Sequence, residues 1–532
     1  MTVNLLTSRT ATSGIDFDSW YSITGAPTGL DSKLEETDVP DLLEETFDSV
    51  IPQWLEIAYE LGQEPTSDLA HTPACVANSS DFGVMLAWSK LVEKWAKQSD
   101  KILVLCDDPW LYRQLAALPG VESEKPPLLW PKKIKFALRG YLARTKVAIL
   151  ICLAHLKLKH QRHECRLGEK AVLVYGHPAS IGTERDAYFG DLFGKMPELR
   201  RLLHVDCPLE RAKRLSSDGR TISLHAWGNV WSALNLVKAR WKISSKHRSG
   251  RNGWLLQRAE ALEAGTGQPA MIRWQQVCQK TWLEKNKPAI FVWPWENHAW
   301  ERQIVRDARK LKIPTIGYLH TPFGDHHIGI SVKSNPDGLN SVPDKIICTG
   351  PAVSRHLEQI GYLPNHIIVG GGLRETVFKK LPYDPEGPIL MALPNHRRMA
   401  KQMIGAAVEV SNSKIPILVK THPMMPAGTV EIPEHITTDL PLASQPKLSS
   451  VIFAASSIGL EASIGGIPTI RFRPEGEFAT IAAFPETRKN IAANARNLMQ
   501  VANSVEPVKP LDSADYFMPP DFELWKDLVS VR

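Results

Sequence analysis

One pattern constrains this chain more than any other. Short β-branched or aliphatic runs that stop at a polar residue or a glycine recur along it: Lys101–Asp107 (KILVLCD), Ala171–Gly176 (AVLVYG), Thr221–Trp227 (TISLHAW), Ala289–Trp293 (AIFVW), Thr315–His320 (TIGYLH), Asp344–Thr349 (DKIICT) and His366–Gly370 (HIIVG). Helical patterns such as Trp300–Leu311 lie between several of them. Nearly continuous apolar strands alternating with helices predict parallel sheets covered on both faces. A Pro- and Gly-rich stretch, Lys379–Pro388 (KKLPYDPEGP), reads as a linker. A second series follows: Ile389–Leu393, a helix from about Arg398 to Val410, Ile417–Lys420, Ser450–Ala454, a helix from about Ser457, and Thr469–Phe472. The expected organisation is an acidic, mostly helical extension over 1–100, a Rossmann-like domain over 101–380 with a basic helical insertion near 131–170, a second Rossmann-like domain over 388–490, and a tail with a short amphipathic helix over 491–532. Two doubly wound domains would face each other across a cleft at their strand C-termini, where such sheets bind ligands.

With 43% hydrophobic and 23% charged residues in 532, the composition excludes disordered and multi-span membrane classes. Seven scattered cysteines without a CxxC pair point to a reducing compartment rather than a disulfide framework or zinc ribbon. The N-terminus lacks a secretory pattern and no apolar run reaches the ~18 residues of a span, so the expected location is cytoplasmic. The net charge of +6 hides a polarity: residues 1–50 hold ten acids and two bases, and residues 131–170 hold eleven bases and two acids around an apolar run, Val147–Leu158. That stretch suits either an anchor on the anionic inner face of the plasma membrane or a core helix with a solvated basic end, and both stay open. No nucleic-acid motif interleaves with the bases, so nucleic acid is not an expected partner.

Chemistry concentrates near strand ends. In Ser449–Phe472 (SSVIFAASSIGLEASIGGIPTIRF) a strand runs into Ser456 and Ser457, which open a helix whose free N–H groups attract phosphate. Glu461, one turn on, could accept hydrogen bonds from a ribose diol; an ordinary capped unit is the alternative. In Ile417–Pro426 (ILVKTHPMMP) a strand ending at Lys420 delivers His422 and Pro423 to the cleft edge, where the histidine can donate to a phosphate. In Pro394–Arg398 (PNHRR) basic side chains in a first helical turn oppose the macrodipole unless an anion is near; Asn395 is the expected cap and Arg397 or Arg398 a donor-phosphate or carboxylate contact, a solvent-facing basic pair being the alternative. In the first domain Trp295 and Trp300 of PWENHAWE could wall a sugar pocket, and Glu296 stands where a general base belongs. His320 competes for that role, with His326 and His327 nearby, and Asp107–Asp108 are third. No metal site is expected: no cysteine or second carboxylate completes the histidine cluster. The GxxxxGK[ST], GxGxxG and GxSxG motifs are absent, Gly370–Gly372 having the wrong spacing.

The pairing of His422–Pro423 with Ser456, Ser457 and Glu461 resembles the HP and S-S motifs of bacterial polysialyltransferases, capsule Kdo transferases and teichoic-acid polyol-phosphate transferases. PWENHAWE and YLHTPF also look like a group of surface carbohydrate biosynthesis proteins. The resemblance covers about 100 residues of the second domain. It implies a GT-B-type α/β fold and a glycosyltransferase of surface polysaccharide synthesis, in which His422, Ser456 and Ser457 hold the phosphate of a CMP- or CDP-activated sugar. Transfer would be inverting and metal-independent, with no cofactor besides the nucleotide-sugar co-substrate, onto a saccharide or lipid-linked saccharide. The sequence departs from the polysialyltransferase base motif, because Asp107–Asp108 is followed by Pro109 instead of glycine. Gly465–Glu477 (GGIPTIRFRPEGE) is similar instead to the tail of UDP-N-acetylglucosamine 2-epimerases, which keeps an epimerase, and a non-catalytic assembly protein, as alternatives.

Overall fold

The structure is a computed structural model, and it describes residues 3–25, 29–36, 38–64, 66–75, 80–98, 100–182, 185–374, 380–422, 425, 428–475, 491–506 and 509–530. Apolar runs such as β3 (Ile102–Cys106), β8 (Ile290–Pro294) and β9 (Thr315–Leu319) are buried at every residue, as strands covered on both faces must be. Every strand pairing in the three sheets is parallel.

The largest sheet has seven strands. Along the chain they are β5 (Lys170–Val174), β6 (Leu199–Leu203), β7 (Thr221–Ser223), β8, β9, β10 (Lys345–Cys348) and β11 (Ile367–Val369). Across the sheet their order is β11-β10-β9-β8-β5-β6-β7. The chain therefore winds outwards in both directions from the junction of β5 and β8. A five-stranded sheet follows: β12 (Ile389–Ala392), β13 (Ile417–Lys420), β14 (Ser450–Phe453), β15 (Thr469–Phe472) and β16 (Ala492–Ala493), in the order β13-β12-β14-β15-β16. Its winding reverses between β12 and β14. These are two doubly wound α/β domains of the Rossmann kind, the expected fold class. The closing helix Phe522–Ser530 returns to the first of them: Trp525 is fully buried against Phe189 and Tyr318, and its indole N–H donates to the Gly370 carbonyl at 3.3 Å.

The first hundred residues differ from the expected helical extension. The helices Val39–Gly62 and Phe82–Trp95 are present, but β1 (Val3–Leu6) and β2 (Ser19–Thr24) flank β3 in a separate four-stranded sheet, β2-β3-β1-β4, closed by β4 (Val121–Ser123). KILVLCD thus belongs to this small sheet, and the large one begins only at Lys170. β1 has four residues and β2 carries two serines, so neither stands out from loop by composition. Strand β6 (LRRLL) also escapes a hydrophobicity reading. Its Arg201 is buried because Asp186, equally buried, sits 3.2 Å away and Phe193 lies beneath the guanidinium. Arg200 pairs with Glu169 at 2.8 Å.

The N-terminal unit also holds the two large domains. Glu44 of the helix Val39–Gly62 accepts from Arg471 of β15 at 2.6 Å, both side chains largely buried, and Asp48 meets His326 of the first domain at 2.6 Å.

Candidate functional site

In open parallel sheets ligands collect outside the strand carboxyl ends, at the point where the winding reverses. In the first domain that point joins the ends of β5 and β8, which carry Tyr175–His177 and Trp295–His298, with His320 on the adjacent β9. In the second it joins the ends of β12 and β14, which carry Asn395–Arg397 and Ser456–Ser457, with His422 on the adjacent β13.

The turn after β8 is locked. Asn297 adopts a left-handed φ of 61°, which asparagine tolerates better than most residues. Its buried amide donates to the Gly329 carbonyl at 2.8 Å and to Asn335 Oδ1 at 3.0 Å. That turn presents Glu296 and His298 together, Oε2 to Nε2 at 2.9 Å. Glu301, one turn into the next helix, accepts the backbone N–H of Glu296 at 2.9 Å and of His298 at 3.2 Å.

Burial opposes the Glu296 charge, but the His298 hydrogen bond and the positive potential of His298, His320 and His327 prevail, and its carboxyl falls to about 2. Burial likewise opposes the charge on His298, but the Glu296 hydrogen bond and both nearby carboxylates raise its pKa. Glu301 is pushed up to about 7, chiefly by burial. Burial brings His320 and His327 down to about 4 despite the Glu296 charge, so both imidazoles are neutral at pH 7. His320 Nδ1 is buried without a hydrogen-bond partner among the described residues, and the ring packs edge-on to Tyr188 at 4.7 Å.

His422 of the second domain feels charges of the first. Burial lowers the pKa of His422, and so do the charges of Arg374 and His177. Arg374 and His177 act on His320 as well. Arg374, after β11, and His177, after β5, thus act electrostatically on both His422 and His320, and Glu296 acts on His320. Pro423 lies outside the described residues, as does Glu477 of the epimerase-like run. At the end of β14, Ser457 Oγ donates to Glu461 Oε1 at 2.9 Å, and Ser456 Oγ accepts the Ile458 N–H at 3.4 Å. The S-S pair and glutamate thus form one cluster at the N-terminus of the helix Ile458–Gly465. Arg397 is exposed at the start of the helix Arg397–Asn412.

Several expectations need correcting. The N-cap of Arg397–Asn412 is His396, not Asn395, which is exposed one residue earlier. Lys420 turns its ammonium to the Asp439 carbonyl at 2.9 Å. Asp107 is not joined to the histidine group: its carboxylate takes the N–H and hydroxyl of Ser8 at 2.9 and 2.6 Å, at the end of the small sheet. Asp108 caps the following helix and pairs with Arg258 at 2.8 Å. Trp295 is fully buried against Tyr362, so it is core and not a pocket wall; Trp300 is buried beneath Tyr175 and His204. His326 is turned away to Asp48. Among the described residues no group of three or more His, Cys, Asp or Glu side chains is arranged to hold a metal ion.

His177 and Arg374 were not singled out by sequence reasoning. A signal existed for the first: His177–Pro178 repeats, at the end of β5, the His-Pro dipeptide that marks the end of β13. For Arg374 the signal is weaker, an arginine two residues beyond a glycine triplet.

No family model matches the chain, and no curated protein matches it. Solved structures with some likeness include UDP-GlcNAc 2-epimerase from Methanocaldococcus jannaschii, at 12% identity and a TM-score of 0.35 over 68% of this chain and 99% of that one. Arabidopsis thaliana UGT89C1 is 13% identical, with a TM-score of 0.34 over 63% and 90% of the two chains. MurG of Acinetobacter baumannii is 11% identical, with a TM-score of 0.31 over 63% and 89%. At such scores nothing about function passes from these proteins to this chain, and the fold assignment stands on the parallel strand order above.

Proposed function

We propose that the protein transfers a sugar from a nucleotide donor, CMP- or CDP-activated, to a saccharide or lipid-linked saccharide acceptor of a surface polysaccharide. What supports this reading is that His177 and Arg374 of the first domain act electrostatically both on His422 of the second and on His320, which Glu296 also influences.

The nucleotide lies along the ends of β12, β13 and β14. Its phosphate meets His422, Arg397, Arg374 and the helix amides behind Ser456 and Ser457, where the dipole favours an anion. Glu461 holds the ribose or orders the two serines. Of the two candidate bases, His320 has the higher proton affinity: it stays a neutral imidazole near 4, whereas Glu296 is held near 2 by its histidine neighbours. His320 takes the proton of the acceptor hydroxyl, whose oxygen bonds to the anomeric carbon. The bond from that carbon to the donor phosphate breaks, and the electron pair leaves with the nucleotide. Glu296 stabilises the imidazolium that forms. No step is assigned to a metal.

Calorimetric titration with CMP, CDP, UDP and GDP tests the reading. Cytidine nucleotides are expected to bind selectively, and His422→Ala to weaken them by roughly 10- to 100-fold, the worth of a charge-assisted hydrogen bond. A preference for UDP would move the reading to a UDP-sugar 2-epimerase-like enzyme or a UDP-sugar transferase. Absence of binding to any of the four would overturn it in favour of a non-catalytic assembly protein.

A further inference from the structure

The helix Leu129–Leu158 has 30 residues, about 45 Å of length, and buries only one stripe. Gly140, Arg144, Ala148, Ile151, His155 and Leu158 form that stripe. It is tightly docked: a Cβ on Gly140 would stand 1.6 Å from the Ala264 carbonyl oxygen. Arg144 donates to that same oxygen at 2.5 Å and to the Val237 carbonyl at 3.0 Å. With one face fixed so closely, the opposite face has a defined direction.

That opposite face is apolar and open. Ile134, Leu138, Leu142, Ile149, Leu153 and Leu156 recur at helical spacing and are 45–68% exposed. Trp231, on the neighbouring helix Val230–Asn235, is likewise 76% exposed. Single exposed leucines are ordinary; an aligned row is not. The row lies in an acid-free field, because Lys125 to His163 contains ten Lys and Arg and no Asp or Glu. Lys135, Lys146 and Lys157 flank it without an ion pair among the described residues.

We infer that this face is a docking surface for an anionic phospholipid bilayer, lying in the interface with its leucines among the acyl chains and its lysines at the headgroups. Charge selects this occupant. A second copy of the chain related by a two-fold axis would set the same basic field against itself. The helix does not cross the bilayer: among the described residues no helix is long and apolar enough. The long stem of each flanking lysine lets its ammonium reach the phosphates while the chain below stays apolar. The inference is independent of sugar transfer, since it concerns a face built by other elements than the cleft.

Vesicle co-sedimentation of the full chain, without nucleotide, tests it. Binding is expected to vesicles of phosphatidylglycerol mixed with phosphatidylcholine, not to phosphatidylcholine alone, and to fall with added salt as surface charges are screened. Leu142→Ser combined with Leu153→Ser should lower the bound fraction at least tenfold, and Lys146→Glu several-fold, with the thermal midpoint unchanged because all three side chains are solvent-facing. On wild type, amide exchange over 134–153 should slow when anionic vesicles are added. Equal binding to both vesicle types, or to neither, would overturn the inference. So would light scattering that showed a dimer dissolved by the leucine changes, because the occupant would then be another copy of this chain.

Discussion

His225 shows how far a single residue fixes the pH response. Its Nδ1 accepts the indole N–H of Trp274 at 3.0 Å, and indole is a donor only, so the ring has to be neutral. Burial, helped by the neighbouring His204, brings its pKa down to about 4, below the unfolded 6.5. The native state therefore binds fewer protons than the unfolded chain in that window. The contribution is complete above pH 6.5 and is lost as pH falls towards 4, by up to about 3 kcal/mol. Thermal melts should show wild type losing ground to His225→Asn, which keeps an acceptor but cannot titrate, as pH drops from 7 to 4. A constant difference in Tm would contradict this. At this scale the strand end before His422 and the helix opened at Ser456–Ser457 were legible in the sequence, while the phosphate-holding role of these residues belongs to the proposal. The sequence was less legible where only pairing could tell: Asp107 ends an apolar strand just as Glu296 does, yet belongs to another sheet because β1 pairs with β3. Glu296 was the preferred base on paper and His320 its competitor; the histidines around the carboxylate lower its proton affinity and reverse that order.

Among the elements, strands with unbroken apolar runs were readable to within a residue or two, as at β13 and β15. β6 was hidden by two arginines whose partners, Asp186 and Glu169, are remote in sequence. The basic helix Leu129–Leu158 was ambiguous for a physical reason: apolar residues lie on both its docked and its open face, which blurs the periodicity that reports a single buried side. Its docking rests on Gly140. Gly140→Ala places a methyl against the Ala264 carbonyl, so a shift of helix or turn is required, and the cost should be about 1–3 kcal/mol as for other overpacked sites. The midpoint of a urea titration measures it; no change would mean that the helix is not seated as described. At the first domain's edge Gly190, with φ 51°, lies against the Leu373 carbonyl, where a Cβ would stand 1.8 Å away. Gly190→Ala should accordingly displace the backbone that carries Arg374 and weaken nucleotide binding. Unchanged affinity would remove Arg374 from the site.

For the whole molecule, the acidity of the first fifty residues acquires a structural meaning. Among the described residues, several of their ten acids face partners in the large domains: Glu35 with Arg496, Asp41 with Arg473, Glu44 with Arg471 and Asp48 with His326. The N-terminal unit therefore acts as a clasp across the domains, something composition alone did not reveal. Glu44→Ala removes the carboxylate from a buried guanidinium and should destabilise by about 3–5 kcal/mol, whereas Glu44→Met with Arg471→Met should recover most of it. Equal losses in the single and double variants, measured by denaturant titration, would show that the pair does not hold the clasp.

The central claim is that the reversal points of the two sheets form one nucleotide site. Hydrogen exchange read by mass spectrometry, with and without CMP or CDP, tests it most directly. Slower exchange is expected in 393–400 and 454–462 of the second domain, accompanied by slower exchange in 296–301 and 320–327 of the first. Protection confined to some other region, or no protection by a nucleotide that demonstrably binds, would contradict it.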